Sequence, residues 1–274
     1  MILSTHGIVG SQIGQFTGLL DTYSGGAAAY SLRKLRAGYT GSAIRVRRAS
    51  DNTEQNIGFV NNVLDTASLT SFCSGTDGFV TTWYDQSGNG RNATQTTAAN
   101  QPQIVSGGSV ILENAKPCVN FNGSKTLNTS LISSSTEATI ISVSRHSPTI
   151  AYQTIVGIGI GNGYALTTSN LKYNLFYRNV ADQPTTNNAL STQALIFAYT
   201  KTATNQQLFA NNVSFQNITP STMITPSTSS VIGAYDATTG LYTGTQQELI
   251  VYANIQLTNR SGIQNNINLY YGIY

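Results

Sequence analysis

The sequence predicts an all-β protein, an antiparallel two-sheet jelly-roll sandwich with short peripheral helices. Three observations carry this. Charged residues make up only 9% of the chain, against about 25% in ordinary soluble proteins. Their place is taken by Ser, Thr, Asn and Gln, with 25 Gly and 15 Tyr, a mixture that suits half-buried strands and tight turns. From residue 100 onward, short β-branched and aromatic runs recur between turn signals: C-V-N-F-N-G, A-T-I-I-S-V-S, Q-T-I-V-G-I-G-I, K-Y-N-L-F-Y, A-L-I-F-A-Y, Q-Q-L-F-A and Q-E-L-I-V-Y. No helical pattern separates them, which is the spacing of an antiparallel sandwich rather than of a parallel sheet.

The 274 residues suffice for one such domain, which buries roughly 75% of its unfolded surface and needs neither disulfides nor metals to fold. Residues 1–25 are Gly-punctuated and lack a period. They read as an N-terminal arm, and residues 26–274 as a single jelly-roll domain. Ile2, Leu3, Ile8, Val9, Ile13, Phe16, Leu19 and Leu20 sit among the glycines of that arm. A segment of this kind must be covered by the sandwich, a partner or another copy of the chain.

Ala28, Leu32 and Leu35 fall at i, i+4 and i+7, which predicts a short helix ending near Gly38. Ile44 and Val46 alternate with Arg45 and Arg47, a strand with one wet face. In L-D-T-A-S-L-T-S-F-C, Asp65 is the expected N-cap of a second helix, with Leu69 and Phe72 turned inward. G-F-V-T-T-W-Y is a strand. The tail is a last helix, capped by Thr258 and burying Ile263, Ile267 and Tyr270.

Candidate chemistry is sparse. Asp85-Gln86-Ser87-Gly88-Asn89-Gly90 matches the opening of a calcium loop. Position 12, which should supply a bidentate glutamate, is Thr96, so a structural turn is expected, with Asp85 accepting backbone N–H groups. G-I-G-I-G-N-G (157–163) is followed by no helix and reads as a hairpin turn rather than a dinucleotide site. Arg33, Lys34, Arg36, Arg45, Arg47 and Arg48 form a basic cluster, but Asp51, Glu54 and Asp85 lie in reach. Ion pairing and an interface role are therefore expected rather than a polyanion site. The net charge of +3 is too mild to indicate nucleic acid.

His6 and His146 have no acidic or thiol partner at ligand spacing. Cys73 and Cys118 are the only cysteines and read as two reduced thiols rather than a bridge. Glycoside hydrolysis needs two carboxylates facing each other. Glu113, Glu137, Asp182, Asp236 and Glu248 are the later candidates, and no spacing announces a pair. No catalytic, cofactor-binding or metal-ligating residue is assigned, and no cofactor is expected. The start M-I-L-S-T-H-G-I-V-G-S-Q has no basic n-region, so no signal peptide is expected, and no apolar run reaches the length of a membrane-spanning helix.

Over residues 27–95 the strings A-Y-S-L-R-K-L, G-Y-T-G-S-A-I-R-V-R-R-A-S-D-N, L-D-T-A-S-L-T-S-F-C and W-Y-D-Q-S-G-N-G-R-N-A-T-Q occur in order. Together they resemble the N-terminal part of the α-L-arabinofuranosidase B catalytic domain. They resemble more closely still a set of tailed-bacteriophage structural proteins carrying that module. The remainder, with P-C-V-N-F-N-G-S-K-T-L and Q-E-L-I-V-Y-A-N-I-Q-L-T-N-R, is similar to a concanavalin A/laminin-G-like sandwich, a class of carbohydrate-binding and adhesive folds. Where the enzyme pattern carries a second cysteine after Cys73, this chain reads S-G-T-D-G-F, and the D-L-E-N-G stretch bearing the family's nucleophile has no counterpart.

The resemblance thus implies a fold and a virion context without hydrolysis. The expectation is a non-enzymatic phage virion protein of a fibre, tail or capsid surface, adhering to host glycans or decorating the particle. It would be homo-oligomeric and joined to other virion proteins through the N-terminal arm, with no membrane or nucleic-acid partner. A glycoside hydrolase of arabinofuranosidase type is the alternative.

Overall fold

Thr243–Tyr252 is the spine of the molecule. One of its edges is taken along its whole length by Ala138–His146. The other is shared end to end by Gly26–Ser31 and Val119–Asn122. From Ala138–His146 the sheet continues through Ala194–Lys201, Asn205–Ala210 and Val213–Ile218. The computed structural model that shows this describes residues 15–160, 162–177, 188–201, 205–218, 225–236 and 238–274.

A second sheet runs Lys172–Tyr177, Tyr164–Ser169, Gln153–Ile158, Ser229–Ile232, Leu127–Ser130. It goes on through Ala93–Thr94, Gly78–Trp83, Ile44–Arg48 and Glu54–Ile57. Every one of these pairings is antiparallel. Gln103–Ser106 links the sheets, pairing with Gly78–Trp83 in one and with Asn120 in the other. The expected all-β antiparallel sandwich is the observed fold, with short helices at Leu19–Thr22, Thr66–Phe72 and Arg260–Tyr271.

The spine sheet is buried on both faces, and side-chain alternation distributes its residues between two cores. Tyr30, Phe121, Ile140, Ile196, Ala198, Leu249 and Val251 face the second sheet, where Trp83, Val156 and Ile232 meet them. Ile141, Val143, Leu195, Phe197 and Ile250 point the other way. There Leu19 and Leu20 of the first helix and Ile263, Ile267 and Tyr271 of the last cover them.

Two local expectations are corrected. The segment from Ala28 is the strand Gly26–Ser31 and not a helix. Ala28, Tyr30 and Leu32 enter one core and Ala29 the other, a period of two that the small, permissive alanines concealed. The last helix is preceded by a 3₁₀ turn, Leu257–Asn259, which contains Thr258, and Asn259 takes the N-cap position. By contrast, Asp65 caps the Thr66–Phe72 helix as expected, accepting the Ser68 N–H at 3.0 Å.

Of the expected arm, residues 1–14, with His6, lie outside the described residues. The rest packs on the domain. Leu19 and Leu20 are buried, the Leu20 N–H donates to the Leu35 carbonyl, and the Asp21 carboxylate accepts the N–H groups of Gly18 and Ala37.

Candidate carbohydrate site

The motif W-Y-D-Q-S-G-N-G-R is a clasp on the first strand. Trp83 is fully buried. Asp85 Oδ1 accepts the N–H groups of Ala29 and Ser87, both at 2.9 Å, while Oδ2 accepts the Arg91 N–H and the Ser87 hydroxyl. The buried Gln86 accepts the Leu35 N–H and donates to the carbonyls of Ser31 and Arg33. The Arg91 guanidinium donates to the carbonyls of Ala27 and Leu131. These side chains are consumed by backbone partners, and among the described residues no group of three His, Cys, Asp or Glu side chains is placed to hold a metal.

The basic cluster is dispersed. Arg45 pairs with Glu54 and Arg48 with Asp51 at the surface. Arg33 turns inward to Glu248, and Arg47 bonds Gln101 and Asn52. Asp85 does not join the arginines. Cys73 and Cys118 are free, buried thiols, and burial pushes that of Cys118 up to about 12.

A different place is better suited to a polar ligand. Where Val119–Asn122, Thr243–Tyr252 and Ala138–His146 run side by side, their registers align Asn120, Thr245 and Arg145 in one row across the three strands. Phe121, Gly244 and His146 form the next. Directly opposed residues share a face, so the first row presents an amide, a hydroxyl and a guanidinium together. With Asn122 and Thr243 they border a cleft of about 260 Å³. Gly244 is required there, because a Cβ would come within 2.0 Å of the Arg145 carbonyl oxygen. Behind the row stands Glu113, from the hairpin of Leu112–Glu113 and Lys116–Pro117. Its Oε2 lies 2.8 Å from Arg145 Nε and accepts the Thr245 hydroxyl at 3.2 Å.

His146 closes the inner end of the cleft, edge-on to Tyr173. Burial, reinforced by the charge of Arg145, lowers its pKa. In the unfolded chain the imidazole takes its proton near 6.5, whereas in the fold it stays neutral to lower pH. Stability is therefore full above about 6.5 and declines as pH falls through the depressed value. His146→Gln should flatten this part of the pH dependence, read as urea midpoints of the two proteins between about pH 7 and pH 5. Identical slopes would mean that His146 does not titrate in this way.

Sequence reasoning named Glu113 and His146 separately. The structure places His146 in the cleft lining and Glu113 behind it, bonded to Arg145 and Thr245, and it adds Arg145, Thr245 and Asn120, which no local signal marks. The other candidates go elsewhere. Glu248 is fully buried against Arg33, Asp236 accepts the N–H groups of Thr238 and Thr239, and Asp182 lies outside the described residues. Glu137 is half-buried and lines no part of this cleft. The cleft can bind and orient a polyhydroxylated ligand through fixed donors and acceptors, with one carboxylate at its back.

Comparison with known proteins places the motif string. Residues 21–138 match the family profile described as "Alpha-L-arabinofuranosidase B, catalytic". A probable α-L-arabinofuranosidase B of Aspergillus terreus is 37% identical over 101 residues, 34% of this chain and 20% of that protein. The α-L-arabinofuranosidase B of Aspergillus oryzae is 38% identical over 96 residues, 32% of this chain and 19% of that protein. The chain thus spans about a fifth of the length of the curated relatives it matches.

Among solved structures, a GH54 α-L-arabinofuranosidase mutant soaked with 4-nitrophenyl α-L-arabinofuranoside superposes with a TM-score of 0.70. It covers 91% of this chain and 64% of that one, at 14% identity. An arabinofuranosidase complexed with arabinofuranosyl-α-1,2-xylobiose gives 0.62, over 88% and 62%, at 16% identity. These findings overturn the virion reading, its location and its non-enzymatic character, since the proteins matched are fungal glycosidases and arabinofuranosidase structures. The motif string behind that reading lies within the segment similar to arabinofuranosidase B and so does not distinguish a particle component from an enzyme. Over residues 21–138 the chain is thus similar in sequence to the catalytic region of α-L-arabinofuranosidase B, and its β-sandwich is similar in fold to GH54 arabinofuranosidase structures.

Proposed function

We propose that the chain is a glycoside hydrolase of the arabinofuranosidase type, acting on glycans that carry α-L-arabinofuranosyl groups. The observation that carries this reading is the family match over residues 21–138. The polar cleft supports it. Arg145, Asn120 and Thr245 offer a sugar ring directional hydrogen bonds, and Glu113 is the one carboxylate among the described residues that bonds to the row. We assign Glu113 the role of acid–base or nucleophilic carboxylate, with Arg145 holding its orientation. Hydrolysis requires a second carboxylate about 5–5.5 Å away for a retaining enzyme or about 6.5–9.5 Å for an inverting one. No carboxylate among the described residues lines the cleft itself.

The test is release of 4-nitrophenolate from 4-nitrophenyl α-L-arabinofuranoside, with the β-D-xylopyranoside as control. The full chain should turn over the arabinofuranoside selectively, and Glu113→Gln should lower kcat by about a hundredfold or more. Turnover unaffected by Glu113→Gln would remove Glu113 from the reaction. No release above the uncatalysed rate would sink the hydrolase reading.

A further inference from the structure

A groove of about 460 Å³ lies outside the cleft lining, between the Thr66–Phe72 helix, the Leu112–Pro117 hairpin and the C-terminal helix. Its lining is divided by chemistry. Val63 and Leu112 present apolar side chains to it, 37% and 55% exposed. Thr66 and Thr70, four residues apart on one helix face, present hydroxyls. At the third side the Lys116 ammonium lies 4.7 Å from the centroid of the Tyr270 ring.

That ammonium has no carboxylate of its own among the described residues. Its cross-strand neighbour Glu113 is drawn to Arg145, and Glu248 is held by Arg33. Arg33 also sits 5.1 Å from the Tyr270 ring but is paired with Glu248, so among the described residues Lys116 is the cation at the groove mouth without a carboxylate partner. The hairpin wall is also fixed in place. Asn114 Nδ2 donates to the carbonyls of Tyr271 and Gly272, and the turn places both Asn114 and Ala115 at positive φ, 48° and 59°. A non-glycine residue held there costs free energy, and such positions persist where the surroundings over-determine them.

An apolar trough of ligand size with a single unpaired cation at its edge matches a molecule that is apolar along its body and anionic at one end. We propose that this groove is a binding site for an amphipathic monocarboxylate. Its hydrocarbon or aryl body lies on Val63 and Leu112, and its carboxylate meets Lys116, with the Thr66 and Thr70 hydroxyls as further donors. The site is separate from the cleft and does not depend on the hydrolase reading.

The probes are 3-phenylpropanoate and its uncharged isostere 3-phenylpropanamide, titrated calorimetrically into the full chain. The carboxylate should bind about tenfold more tightly than the amide. Lys116→Met should bring the two to equal affinity, Lys116→Arg should retain the preference, and Leu112→Asn should weaken both. Far-UV circular dichroism confirms that each variant is folded. Equal binding of acid and amide to the wild type, a preference that survives Lys116→Met, or no binding of either probe would each overturn the proposal.

Discussion

Replacing Arg33 by methionine should destabilise the fold by about 3–5 kcal/mol, the cost of leaving a buried charge without its partner. Glu248 is fully buried in the middle of the spine strand, on the face that also carries Ile250 and Tyr252. Arg33 grips it with Nε on one oxygen at 2.8 Å and Nη2 on the other at 3.0 Å. The Ser31 and Tyr271 hydroxyls complete its shell. Burial opposes the Arg33 charge, yet the carboxylate's field and hydrogen bonds outweigh it and hold the guanidinium above its ordinary value. A neutral pair of similar volume removes both charges together, so Arg33→Met combined with Glu248→Gln should recover much of the loss. Urea denaturation of the three proteins measures this. A single variant as stable as the wild type would show that the pair is not desolvated as the structure has it.

Asp85→Ala should cost about 3 kcal/mol, because a single carboxylate satisfies three backbone N–H groups and a hydroxyl. Deleting it strands the buried Ala29 N–H at the joint between the clasp and the first strand. Asp85→Asn keeps one accepting oxygen and should lose about half as much. The melting temperatures of both variants decide it. If Asp85→Asn lost as much as Asp85→Ala, the loop would depend on the negative charge rather than on a single accepting oxygen.

Legibility in the sequence followed how local each feature is. The alternation of Ile44, Arg45, Val46 and Arg47 shows a strand because only one of its faces is apolar. Asp65 before Thr66–Phe72 shows a cap because the bond it makes spans three residues. Gly26–Ser31 hid its strand character because both of its faces are buried. Without a polar face there is no period to read. The Asp85 turn was legible as a turn, but its attachment to Ala29, 56 residues away, was not.

The candidate cleft was less legible still. Asn120, Arg145 and Thr245 are unremarkable in their own segments and become a row only through the register of three strands, and Glu113 joins them from a separate hairpin. The virion expectation failed for a related reason. Composition and a shared motif string specify a kind of surface and a fold, whereas the activity lies in the site built upon them.

The spine strand also sets the order in which this protein can come into being. Gly26–Ser31 is synthesised long before its hydrogen-bonding partners, residues 248–252. Val119–Asn122 and Ala138–His146 wait for the same strand. A nascent chain therefore carries unpaired strand edges until residues 243–252 have been made, and edges of that kind recruit other chains. A chain ending before residue 243 lacks the centre of the sandwich rather than its rim, and should aggregate or be proteolysed more readily than the longer chain.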